Sequence, residues 1–178
     1  MADRRRSVPR VPALPAVVAT LTVVMTGVVA AQDRPGPAVE ATAGWVGFAD
    51  DGIVSETVVG AAGRVYLSPR ISVGPEIAFI DGPNHSHLVV TGNLTWDVRS
   101  AVNGRPRAIT PFLVAGGGVF RTREAFVAGS FTSSDGAFTA GGGVRALAGT
   151  RATVGVETRI GWETHLRVNG LVGVRLGQ

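Results

Sequence analysis

The chain is 178 residues long, which suits a single domain with one substantial core. Its formal charge of +4 suggests nucleic acid, but Arg4, Arg5, Arg6 and Arg10 against Asp3 carry most of that excess. The other 13 basic and 12 acidic residues form no basic run, so no nucleic-acid partner is expected. Cysteine is absent, which excludes disulfides, thiol catalysis, thiolate metal centres and a lipidated cysteine anchor.

Residues 1–31 carry the arginine run, an apolar stretch from Ala13, and Val29-Ala30-Ala31. A basic region, an apolar region and small residues before the cut fit a secretory signal peptide removed before Gln32. An uncleaved membrane anchor is the rival reading, and the arginine run lacks the rest of a twin-arginine signal. Residues 32–39, with Arg34-Pro-Gly-Pro37, read as a flexible lead-in, leaving 40–178 as the folded domain.

Turn signals divide 40–178 into eight strand-like segments at 41–49, 56–67, 71–80, 87–98, 107–121, 136–147, 151–162 and 165–177. Most are long enough to cross a bilayer at a tilt, which takes about 9–11 residues. In the fourth, Leu88, Val90, Gly92, Leu94, Trp96 and Val98 share one face, and His87, Val89, Thr91, Asn93, Thr95 and Asp97 the other. The third, sixth, seventh and eighth alternate in the same way, whereas Gly and Ala dilute the pattern in the first, second and fifth. Alternation of this length marks strands with one apolar and one polar face. The apolar face looks to lipid in a membrane barrel and to the core in a soluble sandwich. The expected fold is all-β: an eight-stranded antiparallel up-and-down transmembrane β-barrel.

The connections alternate in length. Short turns at 68–70 and 148–150 fall on the side of the termini; longer stretches at 81–86 and 122–135 fall on the other. Transmembrane barrels have short periplasmic turns and longer outer loops. The 99–106 connection is long for a periplasmic turn. Phe48, Phe79, Phe120, Phe138 and Trp162 fall near the outer strand ends, and Tyr66, Trp96 and Phe112 near the inner ends, so two aromatic girdles are expected. With polar faces inward, the barrel encloses Arg64, Glu76, Asp97, Arg145, Glu157, Arg159, Arg167 and Arg175. An eight-stranded barrel has room for side chains and no open channel. Charges so confined must pair or be wetted, and a structural ion-pair network is expected, with a proton or small-ion path as the rival.

The signal peptide, the eight amphipathic strands, Pro111-Phe-Leu-Val-Ala-Gly-Gly-Gly-Val-Phe120, Ala140-Gly-Gly-Gly-Val144 and Gly170-Leu-Val-Gly-Val174 resemble the small outer-membrane β-barrel proteins of the OmpA/OmpX type. The resemblance covers 40–178 and carries no catalytic motif. Such barrels usually finish on an aromatic residue, whereas this chain finishes Leu176-Gly177-Gln178. The resemblance implies a non-enzymatic outer-membrane monomer without cofactor. Its partners would be outer-membrane lipids, the barrel assembly machinery and a surface partner at the loop 121–135, where Phe126, Val127 and Phe131 stand among Ser and Thr in a stretch that either extends the fifth and sixth strands above the membrane or forms a ragged exposed hairpin.

Asn84-His85-Ser86-His87 is the one cluster of catalytic residue types. It faintly resembles the His/Ser pairing of outer-membrane lipid A deacylases, so a lipid-modifying barrel enzyme is an alternative. Neighbours on an extended chain point to opposite faces, however, which separates Ser86 from both histidines. His85, His87 and His165 could share a metal only if the fourth and eighth strands met, and no metal is expected. Asn84 and Asn93 head chance glycosylation sequons. The triplets 116–118 and 141–143 lack the helix start that phosphate binding needs, and read as sites of curvature and close packing. A secreted soluble β-barrel binding a small apolar ligand is the remaining alternative.

Overall fold

The computed structural model describes residues 34–49, 53–83, 85–98, 101–102, 105–106, 109–126, 129–162 and 165–177. The expected signal peptide and the first residues of the lead-in lie outside them. The strands in chain order are β1 (Ala38–Ala49), β2 (Ile53–Tyr66), β3 (Ile71–Asp81), β4 (His85–Asp97), β5 (Ala101–Val102), β6 (Arg105–Pro106), β7 (Ile109–Phe126), β8 (Gly129–Ala148), β9 (Ala152–Gly161) and β10 (His165–Arg175). Eight of them close into a barrel in the order β1-β10-β9-β8-β7-β4-β3-β2, every pair antiparallel. Closure runs through β1 and β10, from Ala38↔Arg175 to Phe48↔His165. A closed ladder leaves no sheet edge, which is what a strand protein needs in lipid.

Two connections are paired rather than open. The described residues of 122–135 prolong β7 and β8 into a hairpin paired out to Phe126↔Gly129, extending the fifth and sixth segments as the sequence allowed. The 99–106 connection holds a ladder of its own, β5 with β6. The lead-in is also shorter, since Ala38 and Val39 already belong to β1.

The tight turns have local causes. Ser68 Oγ accepts the Ile71 amide at 3.0 Å, and Leu67 N donates to Ile71 O at 2.8 Å, folding β2 onto β3. Gly149 sits at φ 81° in the β8–β9 turn, a left-handed conformation that a Cβ would strain. Pro75 lies within β3 and has no amide proton to give. The β2–β3 ladder accordingly lapses between Ala62↔Glu76 and Val65↔Val73, while the β3–β4 ladder continues through Pro75↔Gly92.

The alternation resolves inside-out. Val39, Val59, Ile77, Leu94, Val119, Val144, Val156, Ile160, Val168 and Val172 face outward and are about half exposed, while the opposite faces of the same strands are buried and largely polar. A soluble barrel would hide these side chains, so the alternative of a soluble protein with an apolar interior does not describe this fold. The band ends where outward positions turn polar, at Asp81 on β3, Arg121 and Arg123 on β7, and Ser134 on β8. β9 and β10, of 10 and 11 residues, are just long enough to cross a bilayer; β7 and β8, of 18 and 20, exceed that span. The β7–β8 hairpin therefore projects past the apolar band, at the end away from Ala38 and Arg175.

Candidate functional site: the charged lumen

The inward faces of the eight strands bring charged side chains from non-adjacent strands together across the lumen. Nearest the end of the termini lie Glu40 (β1), Arg64 (β2), Asp97 (β4) and Arg145 (β8). Arg64 pairs with Glu40, and Arg145 bridges Glu40 (Nε to Oε1, 3.1 Å) and Asp97 (Nη1 to Oδ1, 3.2 Å). The Arg145 guanidinium also stands 3.5 Å from the centre of the Phe112 ring, and Arg64 lies 5.7 Å from that of Tyr66. Arg175 opens onto the same end, lining a small cleft with Arg64, Tyr66, Asp97 and Arg145.

The second group lies mid-barrel: Glu76 (β3), Glu157 and Arg159 (β9), and Arg167 (β10). Arg159 spans both carboxylates, 2.7 Å to Glu76 Oε2 and 2.9 Å to Glu157 Oε2. Arg167 pairs with Glu76 and lies 3.8 Å from Glu157. Asn93 Nδ2 donates to Glu76 at 2.6 Å and Asn169 Nδ2 to Glu157 at 3.1 Å. Each group sets two arginines against two carboxylates, so charge cancels locally, as burial in a narrow low-dielectric space demands.

Above the second group the lumen turns apolar: Val46, Val58, Ala78, Ile80, Val89 and Phe120 form one buried cluster. Room for the rings comes from inward glycines. A Cβ on Gly143 would meet the Phe112 ring at 2.9 Å, and one on Gly116, Gly118 or Gly141 would strike the neighbouring strand or its side chains. The triplets thus serve close strand approach.

The aromatic girdles need correction. Phe79, Phe138, Trp96 and Trp162 face outward, joined by Trp45, and Phe138 packs edge-on against Trp162 at 6.0 Å. Phe48, Phe120, Tyr66 and Phe112 turn inward instead. They occupy the lumenal register of β1, β7 and β2, whose outward positions are held by Trp45, Leu113, Val119 and Val65. Nearness to a strand end did not fix the face.

No protein-family model matches the sequence, and no curated protein sequence matches it. Solved structures do. Neisserial surface protein A (NspA) superposes with a TM-score of 0.69 at 10% identity, covering 79% of this chain and 97% of that one. The N-terminal β-barrel domain of Pseudomonas aeruginosa OprF gives 0.60 at 11%, covering 80% and 100%. The attachment invasion locus protein Ail of Yersinia pestis, in complex with the heparin analogue sucrose octasulfate, gives 0.58 at 10%, covering 80% and 98%. The fold is that of the small outer-membrane barrels.

Within this barrel, all eight charged residues expected inside do share the inward faces, but the tally of five arginines to three acids omitted Glu40. It lay just ahead of the first segment as delimited from sequence. Its even numbering with Thr42, Val46 and Phe48 was the signal that could have placed it. Asn93 and Asn169 were legible as inward positions, though not as carboxylate ligands. His85 and His87 point into the barrel, whereas Ser86, between them, lies on the other face of β4, so no Ser–His pair forms there.

Proposed function

We propose that this protein is an outer-membrane barrel of a Gram-negative-type envelope, exported by its N-terminal segment and inserted by the barrel assembly machinery. It acts as a closed, non-enzymatic monomer whose outer hairpin meets surface partners. The carrying observation is the filled lumen: two neutral charge groups and an apolar plug stacked along the axis leave side chains where a pore would run. Charges bridging β1 to β8 and β3 to β9 act as struts, which suits mechanical and structural roles better than conduction.

The hairpin supports the interaction role. It rises beyond the apolar band with Phe131 60% exposed among Ser and Thr, and with Arg121 and Arg123 outward at its base. Those arginines lie where anionic lipid headgroups begin, the usual place for basic anchors.

Two measurements test this reading. The protein should co-sediment with outer membrane and migrate differently on gels before and after boiling. In planar bilayers the purified barrel should give no stepwise conductance. Recovery in the soluble fraction would refute the location, and reproducible channels from the parent barrel, altered by charge reversal at Arg159, would refute the closed lumen.

A further inference from the structure

At the outer end of the lumen, beyond the apolar cluster, β2 and β4 bring together a group that neither the charge network nor the fold explains. Glu56 has no exposed side-chain surface. Its Oε1 contacts His85 Nε2, and its Oε2 accepts no hydrogen bond among the described residues while facing His87 Nε2 at 3.9 Å. One ligand atom from each of Glu56, His85 and His87 falls within 4.8 Å of the other two. A bare buried carboxylate oxygen is costly, and one aimed between two imidazoles is suited to a cation.

We propose that Glu56, His85 and His87 form a binding site for a divalent transition-metal ion of the zinc class. Two imidazoles and a carboxylate are the donor set that zinc takes when its fourth position stays open. Imidazole nitrogens also select against magnesium and calcium, which prefer all-oxygen sites.

Three further features fit. His87 Nδ1 lies 3.0 Å from Thr122 Oγ1 on β7. A proton donated there leaves the Nε2 lone pair turned toward Glu56, the outer-sphere arrangement usual for metal-bound histidine. Gly82 covers the group from the β3–β4 connection, where a Cβ would meet Glu56 Oε1 at 2.6 Å and His85 Nε2 at 2.9 Å, so the cover fits only without a side chain. The Phe48 and Phe120 rings pack tilted against the His87 ring, with centroids at 5.3 and 4.9 Å, between the group and the lumen below. The His85 side chain is 28% exposed, so access is from outside. Binding would tie β2 to β4 across β3.

His165 supplies the control. It faces the same lumen end, but its Nδ1 donates to the Trp162 carbonyl and its ring packs against Phe48, outside the ligand group.

The test is titration of the full chain, extracted in detergent, with zinc chloride against a chromophoric indicator, and with cobalt chloride read by its visible ligand-field bands. One equivalent should bind, with nitrogen-containing coordination in the cobalt spectrum. His87→Asn and Glu56→Gln should each weaken binding by more than about 100-fold, and Thr122→Val, which touches no metal, by about 10-fold. His165→Asn should bind as the parent does. The shift on boiling monitors folding, and should a ligand variant fail to fold, the Thr122→Val and His165→Asn pair decides the matter. No stoichiometric binding, parental binding by Thr122→Val together with any folded ligand variant, or a loss in His165→Asn equal to that in Thr122→Val would overturn the site.

Discussion

Glu76→Gln tests whether the mid-barrel charges act as a unit. The substitution keeps the side-chain shape but removes one of two carboxylates facing Arg159 and Arg167. In the parent, Glu76 receives Arg159 at 2.7 Å, Asn93 at 2.6 Å, and Arg167. Its side chain is 4% exposed, so solvent screens little. Two charge-assisted hydrogen bonds at about 1.5–3 kcal/mol each set an upper range of about 3–6 kcal/mol. The amide oxygen of Gln still accepts one proton, and the expected cost is about 3–5 kcal/mol, the usual figure when one partner of a buried pair is removed. Adding Arg167→Met to Glu76→Gln leaves Arg159 with Glu157, restores neutrality, and should recover at least half of the loss. The assay is equilibrium urea unfolding in lipid vesicles, followed by the fluorescence of Trp45, Trp96 and Trp162, all on the outward face. Asp135→Asn, at an exposed carboxylate that Ser133 reaches at 3.4 Å, should unfold with the parent. A Glu76→Gln cost below about 1 kcal/mol, or a double variant as unstable as the sum of the singles, would refute the reasoning.

Four other outcomes are expected. Leu94→Arg, on the lipid-facing side of β4 and 52% exposed, should cost about 2–4 kcal/mol in vesicles, whereas a water-facing site would tolerate it; vesicle unfolding decides. Gly141→Ala drives a Cβ into the β9 backbone and should lower folding yield, while Gly136→Ala, with open space around it, should fold normally on a heat-shift gel. Phe120→Ala empties the centre of the apolar cluster and should cost about 3–5 kcal/mol by urea unfolding. Ser86→Ala should leave the envelope lipids unchanged by mass spectrometry, since Ser86 and the two histidines lie on opposite faces of β4.

What the sequence disclosed follows from the period of a strand. In β4, in β10 and in β9 from Val156 onward the inward and outward residues alternate without a break, so their faces could be read directly, and with them the inward positions of Asp97, Glu157, Arg159 and Arg167. In the middle of β7 and the outer half of β8 the pattern is carried by glycine, alanine, serine and threonine, which say little about facing. The length of the paired hairpin there is accordingly hard to read, and nearness to a strand end points Phe112 and Phe120 to the bilayer surface where the structure turns them inward. Pairing across the lumen was beyond reach for a different reason. Which arginine meets which carboxylate depends on the stagger of strands around the closed barrel, and the period of a single strand is silent on stagger. Glu56 illustrates both limits: it sits at the first residue of the second segment, and its histidine neighbours lie two strands away.

The layering of the lumen also bears on where this barrel can vary. The two charge groups and the apolar cluster tie strands that are not neighbours in the sheet: Glu40 to Arg145 joins β1 with β8, and Glu76 to Arg167 joins β3 with β10. A substitution in any of these layers unbalances charge or volume across the full width of the barrel, because these side chains are buried from bulk solvent. Outward positions are constrained only to remain apolar across the band. Freedom is left at the outer rim, where the β7–β8 hairpin leaves the bilayer and Glu56, His85 and His87 sit above the plug. The proposed metal group and the proposed partner surface both lie at that rim, above the layers that brace the barrel.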